Sequence, residues 1–144
     1  MELYPGSELN AINKASIAFE IISEEKKLLF CGDADMRGYG SLLLSKYDVI
    51  KLSHHGTYFG NECFCGENAV VADRFIVSTN GSRNEHPNRR LLAELLLQPY
   101  SKTLYLNYDI SGIDLGKYHL LYNTKQQKKY KFSTVMTNTI NIED

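Results

Sequence analysis

A chain of 144 residues has room for one domain with a modest core and not for two full ones. Hydrophobic residues make up 43% and charged residues 23%, as in an ordinary globular chain, and 16 Lys and Arg against 17 Asp and Glu exclude a globally cationic nucleic-acid binder. No run approaches the ~20 apolar residues of a membrane span, and Met1-Glu2-Leu3-Tyr4-Pro5 lacks the pattern of a secretory signal, so a cytoplasmic location is expected.

In chain order, residues 15–22 read as a strand, rich in β-branched and aromatic side chains. Ser23-Glu24-Glu25-Lys26 reads as a turn, and 27–31 as the returning strand of a hairpin. A helix is expected over 36–46, weakened by Gly38 and Gly40. Residues 48–52 form a short buried strand running into Ser53-His54-His55-Gly56, and 57–72 is loop-like at first. Residues 74–78 form another buried strand, followed by a polar loop. His86-Pro87 opens a helix over 88–97 with a stripe of Leu91, Leu92, Leu95 and Leu96. Strands are expected over 102–106, 118–122 and 129–135. Interleaved strands and helices predict one α/β domain over 1–144, a mixed sheet with helices packed on it.

The three cysteines, Cys31, Cys63 and Cys65, are an odd count and do not form a disulfide framework. Cys63-Phe64-Cys65 is either half of a metal site or a pair of ordinary thiols in a connection, and no second pair stands at a zinc-site spacing.

The titratable residues gather just after buried strands. Gly32-Asp33-Ala34-Asp35 follows the second strand, Ser53-His54-His55-Gly56 the third, and the stretch from Asn80 to His86-Pro87 the fourth. If those strands are neighbours, one sheet edge presents two carboxylates with two or three imidazoles, a donor set that suits zinc, manganese or iron. Each element alone has a plainer reading. Gly-Asp after a strand is a turn, His86 caps a helix, and His119 in an alternating strand is a packing residue.

Their order makes the chain recognisable. Asn13-Lys14-Ala15-Ser16-Ile17, then Leu28-Leu29-Phe30-Cys31-Gly32-Asp33-Ala34-Asp35, then Tyr47-Asp48-Val49-Ile50-Lys51-Leu52-Ser53-His54-His55-Gly56-Thr57 resemble the metallo-β-lactamase superfamily. The branch they most resemble is that of the DNA-uptake competence proteins and related metallohydrolases. Ile76-Val77-Ser78-Thr79-Asn80-Gly81, with His86-Pro87 before a Leu-rich helix, fits the same pattern.

The resemblance implies the C-terminal half of an αββα sandwich around a two-zinc site. It implies Asp33 as the bridging carboxylate and favours His55, which directly precedes a glycine, over His54 as ligand of the second metal. His54 would then orient ligands or protonate a leaving group, with Asp35 beside it in catalysis. Asn80 and His86 would face substrate or support the ligands.

The family's His-x-His-x-Asp-His motif does not occur in this sequence, and its four histidines cannot supply it. Two functions follow as expectations. One is a metal-dependent hydrolase, phosphodiesterase- or nuclease-like, with poor zinc binding and activity without the N-terminal half, which lies either on a second chain or in a part of the protein outside this sequence. The other is a non-catalytic half-domain serving as a binding or assembly module, self-associating through its uncovered sheet. The lysine-rich stretch 125–131 either touches nucleic-acid phosphates or protects a strand edge.

Overall fold

A computed structural model describes residues 11–80, 86–110, 114, 117 and 130–142. The aliphatic segments form strands β1 (Phe19–Ile22), β2 (Lys27–Phe30), β3 (Lys46–Lys51), β4 (Val71–Val77), β5 (Lys102–Leu106) and β6 (Phe132–Met136). Among the described residues they lie side by side in that order in a six-stranded sheet. β1 and β2 are antiparallel, and every later neighbour pair is parallel. The hairpin turn is closed by Ser23 N donating to Lys26 O at 2.8 Å and by Lys26 N donating to Ser23 Oγ at 3.0 Å. β1 is shorter than the expected strand over 15–22, because a helical turn, α1 (Ala11–Lys14), runs into its first residues. Ala15 N and Ser16 N donate back into that turn.

Strand alternation and the parallel register sort side chains into rows on two faces. Leu29, Ile50, Phe75 and Leu104 are successive partners across β2–β5, and none is more than 2% exposed. They share a core with Leu91, Leu92, Leu95 and Leu96 of the helix α2 (Arg89–Leu97). Asn88 caps α2, its Oδ1 accepting from Arg90 N at 2.9 Å and Leu91 N at 3.4 Å, so the helix expected over 88–97 forms with Asn88 as its N-cap.

The adjacent row of Phe30, Lys51, Ile76, Tyr105 and Val135 points to the opposite face. That face is open. It carries an apolar groove of about 410 Å³ lined by Leu28, Phe30, Val49, Ile76, Tyr105 and Ile142, among others. Phe19 and Ile21, on the same side of β1, are each about half exposed, and the Phe19 ring stacks on Phe30 at 5.0 Å.

The helix expected over 36–46 does not form. Met36–Tyr39 is a single 3-10 turn, and Lys46 already belongs to β3. Of that turn only Met36 is buried, so no apolar stripe holds a helix against the sheet, and Gly38 and Gly40 weaken it further. The last strand, expected over 129–135, occupies Phe132–Met136 instead. The expected strand over 118–122, with His119, lies outside the described residues. Among the described residues no helix is long and apolar enough to cross a membrane.

Candidate active site

Parallel pairing of β2, β3 and β4 puts the loops that follow them at one sheet edge, the edge where open α/β sheets bind ligands. The first loop turns at Gly32, whose φ is +55°, and a Cβ there would meet the Ile17 carbonyl oxygen at 2.7 Å. Only glycine fits. Two bonds tie this loop to the next one: His54 N donates to Gly32 O at 3.0 Å, and Ser53 Oγ donates to Ala34 O at 2.5 Å. They bracket Asp33. Its carboxylate is half-buried and has no hydrogen bond or ion pair among the described residues.

The second loop has an unusual backbone. His54 (φ +44°), His55 (φ +58°) and Gly56 (φ +82°) are consecutively left-handed. This conformation costs a non-glycine residue ~1–2 kcal/mol, so a pair of histidines persists there only because its surroundings dictate it. Asn61, wholly buried, is the main restraint. Its Oδ1 accepts from Ser53 N at 2.8 Å, and its Nδ2 donates to Ser53 O at 3.0 Å and Thr57 O at 2.6 Å. The turn also packs on the third loop: Asn88 N donates to Gly56 O at 2.8 Å, and a Cβ on Gly56 would meet Pro87 Cβ at 2.9 Å.

His55 Nδ1 lies 2.5 Å from the Ser78 carbonyl oxygen. A carbonyl only accepts, so Nδ1 carries the proton and Nε2 keeps its lone pair outward. Metal-binding histidines are commonly oriented in this way. Asn13 Nδ2 approaches the His54 ring at 3.3–3.4 Å. The His86 ring completes a triangle, with centroids 5.5 Å from His54 and 6.4 Å from His55, while His54 and His55 are 5.9 Å apart. His86 Nδ1 is buried and has no hydrogen-bond partner among the described residues. Burial lowers the His86 pKa, with the neighbouring His54 and His55 adding to the effect, so this ring is neutral at neutral pH.

The other sequence candidates are less central. Arg37 takes up the Asp35 carboxylate through Nε at 2.8 Å and its terminal nitrogen at 2.5 Å, and Asp35 also caps the 3-10 turn. Asn80 is exposed at the end of the described part of its loop. Cys63 and Cys65 pack against the core, and burial pushes both thiols up to about 12, which keeps them protonated and poor as ligands. Sequence reasoning missed Asn61 and Ser78 as supports. Asn61 had no period or motif to mark it, only the glycine before it. Among the described residues, no group of three or more His, Cys, Asp or Glu side chains is placed where it could hold a metal ion.

No family model, no curated protein and no solved structure matches this chain.

Proposed function

We propose that the chain is the C-terminal half of a metallo-β-lactamase-type, metal-dependent hydrolase acting on phosphodiesters, of the kind found in the DNA-uptake competence branch. The observation that supports this most is the strained His54-His55-Gly56 turn, with His55 Nδ1 fixed by Ser78 and the loop of Asp33 tied to the turn through His54 N and Gly32 O. Strain held in place at a loop edge is characteristic of sites that need a side chain aimed, whatever the cost in stability.

A carboxylate with no competing partner among the described residues and an imidazole whose Nε2 keeps its lone pair are chemically suited to zinc. Asp33 and His55 would hold it, and when bound it would lower the pKa of a water and stabilise charge on the phosphoryl oxygen. His54 stands beside His55 to meet a leaving group, steadied by Asn13. His86 and Asn80 would face the substrate, and Asp35, which accepts from Arg37 Nε, would stand at the rim. Two donors are too few for the centre, and the His-x-His-x-Asp-His motif that would complete it is absent from this sequence.

The test is hydrolysis of bis-p-nitrophenyl phosphate with added zinc or manganese, with and without a polypeptide carrying that motif. Hydrolysis should be slight for the chain alone and rise on mixing, and Asp33→Ala should remove the gain. Equal rates with and without the second polypeptide would overturn the reading.

A binding or assembly module is the second reading, supported by the open apolar face around Phe19, Ile21 and the groove. It predicts that sedimentation shows self-association, or binding to the second polypeptide, and that Phe19→Lys weakens either. Unchanged sedimentation in Phe19→Lys would count against it.

A further inference from the structure

The open face of the sheet is crossed by the chain's own C-terminal segment. After β6, Thr137 Oγ1 accepts from Thr139 N at 3.1 Å, and Arg74 Nη1 on β4 donates to Asn141 O at 2.7 Å. Residues 137–142 therefore return from β6 towards β4, and Ile140 and Ile142 form one wall of the apolar groove. Its floor is Leu28, Phe30, Val49, Ile76 and Tyr105. A flat partner, such as a second sheet, would have to lift the segment to reach that floor, whereas a slender chain fits beside it. The volume of about 410 Å³ lies within the range of small-ligand sites.

The groove also changes character along its length. The parallel register sets Lys51, at the end of β3, level with Ile76 and Tyr105, and Ser78 and Asn107 stand two residues further along their strands. Leu28 and Val49 lie level with each other towards the opposite end. Lys51 is half-buried in this lining. Its Nζ donates to Leu52 O at 3.4 Å and has no carboxylate partner among the described residues. An ammonium beside apolar walls is best matched by an anion that carries an apolar body of its own.

We propose that this groove binds a medium-chain, fatty-acid-like monocarboxylate, with the carboxylate on Lys51 and the acyl chain running between Ile76 and Ile140 towards Leu28 and Ile142. The site goes beyond both functional readings above. It uses neither Asp33 nor any histidine, and Phe19 and Ile21 stay available to a partner chain.

The experiment is titration of the full chain with sodium octanoate and sodium decanoate, with octanol as the uncharged control, followed by calorimetry and by NMR of ¹³C-labelled isoleucine methyls. One decanoate per chain should bind with a dissociation constant of about 1 mM or tighter. Octanoate should bind about 10-fold more weakly or less tightly still, since it lacks two methylenes. The methyls of Ile76, Ile140 and Ile142 should shift. Lys51→Met should weaken both carboxylates by about 10-fold and leave octanol unchanged. If Lys51→Met binds decanoate as the natural chain does, the groove is an unselective apolar surface and the proposal is overturned. Shifts confined to Ile21 and Ile22, no binding at millimolar decanoate, or decanoate failing to compete with a second copy seated in the groove would each overturn it too. The methyl shifts need no variant, so a poorly folding Lys51→Met does not block the test. Asp33→Ala should bind decanoate normally, so loss of the hydrolase reading leaves this one intact, and the reverse holds as well.

Discussion

At His54 and His55 the backbone adopts angles that glycine reaches freely, and the cost is carried by contacts around the turn rather than within it. Gly56 is the tightest point. Its φ of +82° and the 2.9 Å approach of Pro87 mean that Gly56→Ala should lower stability by more than ~1 kcal/mol, measured by urea unfolding. An equal or higher unfolding midpoint would show that the two loops do not pack as described. Asn61→Ala tests the restraint from the other side. It strips partners from Ser53 N, Ser53 O and Thr57 O at once, and should cost about 2–4 kcal/mol. At this scale the sequence indicated that the loops carrying Asp33, His54, His55 and His86 meet, because polar residues just after buried strands fall at one edge of a parallel sheet. It was silent about Asn61. That residue's role depends on which backbone groups a distant turn brings to it, and no local pattern encodes them.

Among the elements, α2 was the most legible, since its cap, its stripe and its length agree. Leu95 is 2% exposed within the core, so Leu95→Ala should cost ~2–5 kcal/mol, against ~1 kcal/mol for Asn88→Ala at the cap. Thermal unfolding of both variants checks the order as well as the sizes. The hairpin was legible for a similar reason, with two apolar runs on either side of a four-residue polar turn. The segment after β2 was not. Leu42, Leu43 and Leu44 suggest a helix, but Leu42 is exposed and the other two, though packed against the core, are only half-buried, so the run does not bury a helical stripe. Composition there resembles a helix, whereas the 3-10 turn is set by Asp35 capping at one end and the demands of β3 at the other.

For the molecule as a whole, Lys102 gives stability a pH signature. It is 3% exposed, donates Nζ to Gln98 O at 3.0 Å and lies 4.2 Å from the Tyr100 ring centroid. Burial lowers its pKa to about 8. Below that value the folded chain carries a desolvated ammonium, and the cost is fully present. From about 8 up to the unfolded value of ~10.4, the unfolded chain binds the proton and the folded chain does not, so this group makes stability rise with pH. The thiols of Cys63 and Cys65 and the Tyr47 hydroxyl act oppositely. Their folded pKa values, near 12, exceed the unfolded ones, so the stability they contribute is lost above about pH 9. The Lys102 effect is therefore read as a difference: relative to Lys102→Met, the natural chain should gain about 1–2 kcal/mol between pH 7 and pH 10. A constant difference across that range would mean that the ammonium is better solvated than its burial implies. The order of the strands has a consequence of another kind. Because spatial order and chain order coincide from β1 to β6, none of the described strands has to wedge between two that are already paired. Each arriving strand finds its predecessor at the growing margin, so the sheet can be laid down progressively as the chain leaves the ribosome, beginning with the local β1–β2 hairpin and sealed by the late arrival of Phe132–Met136.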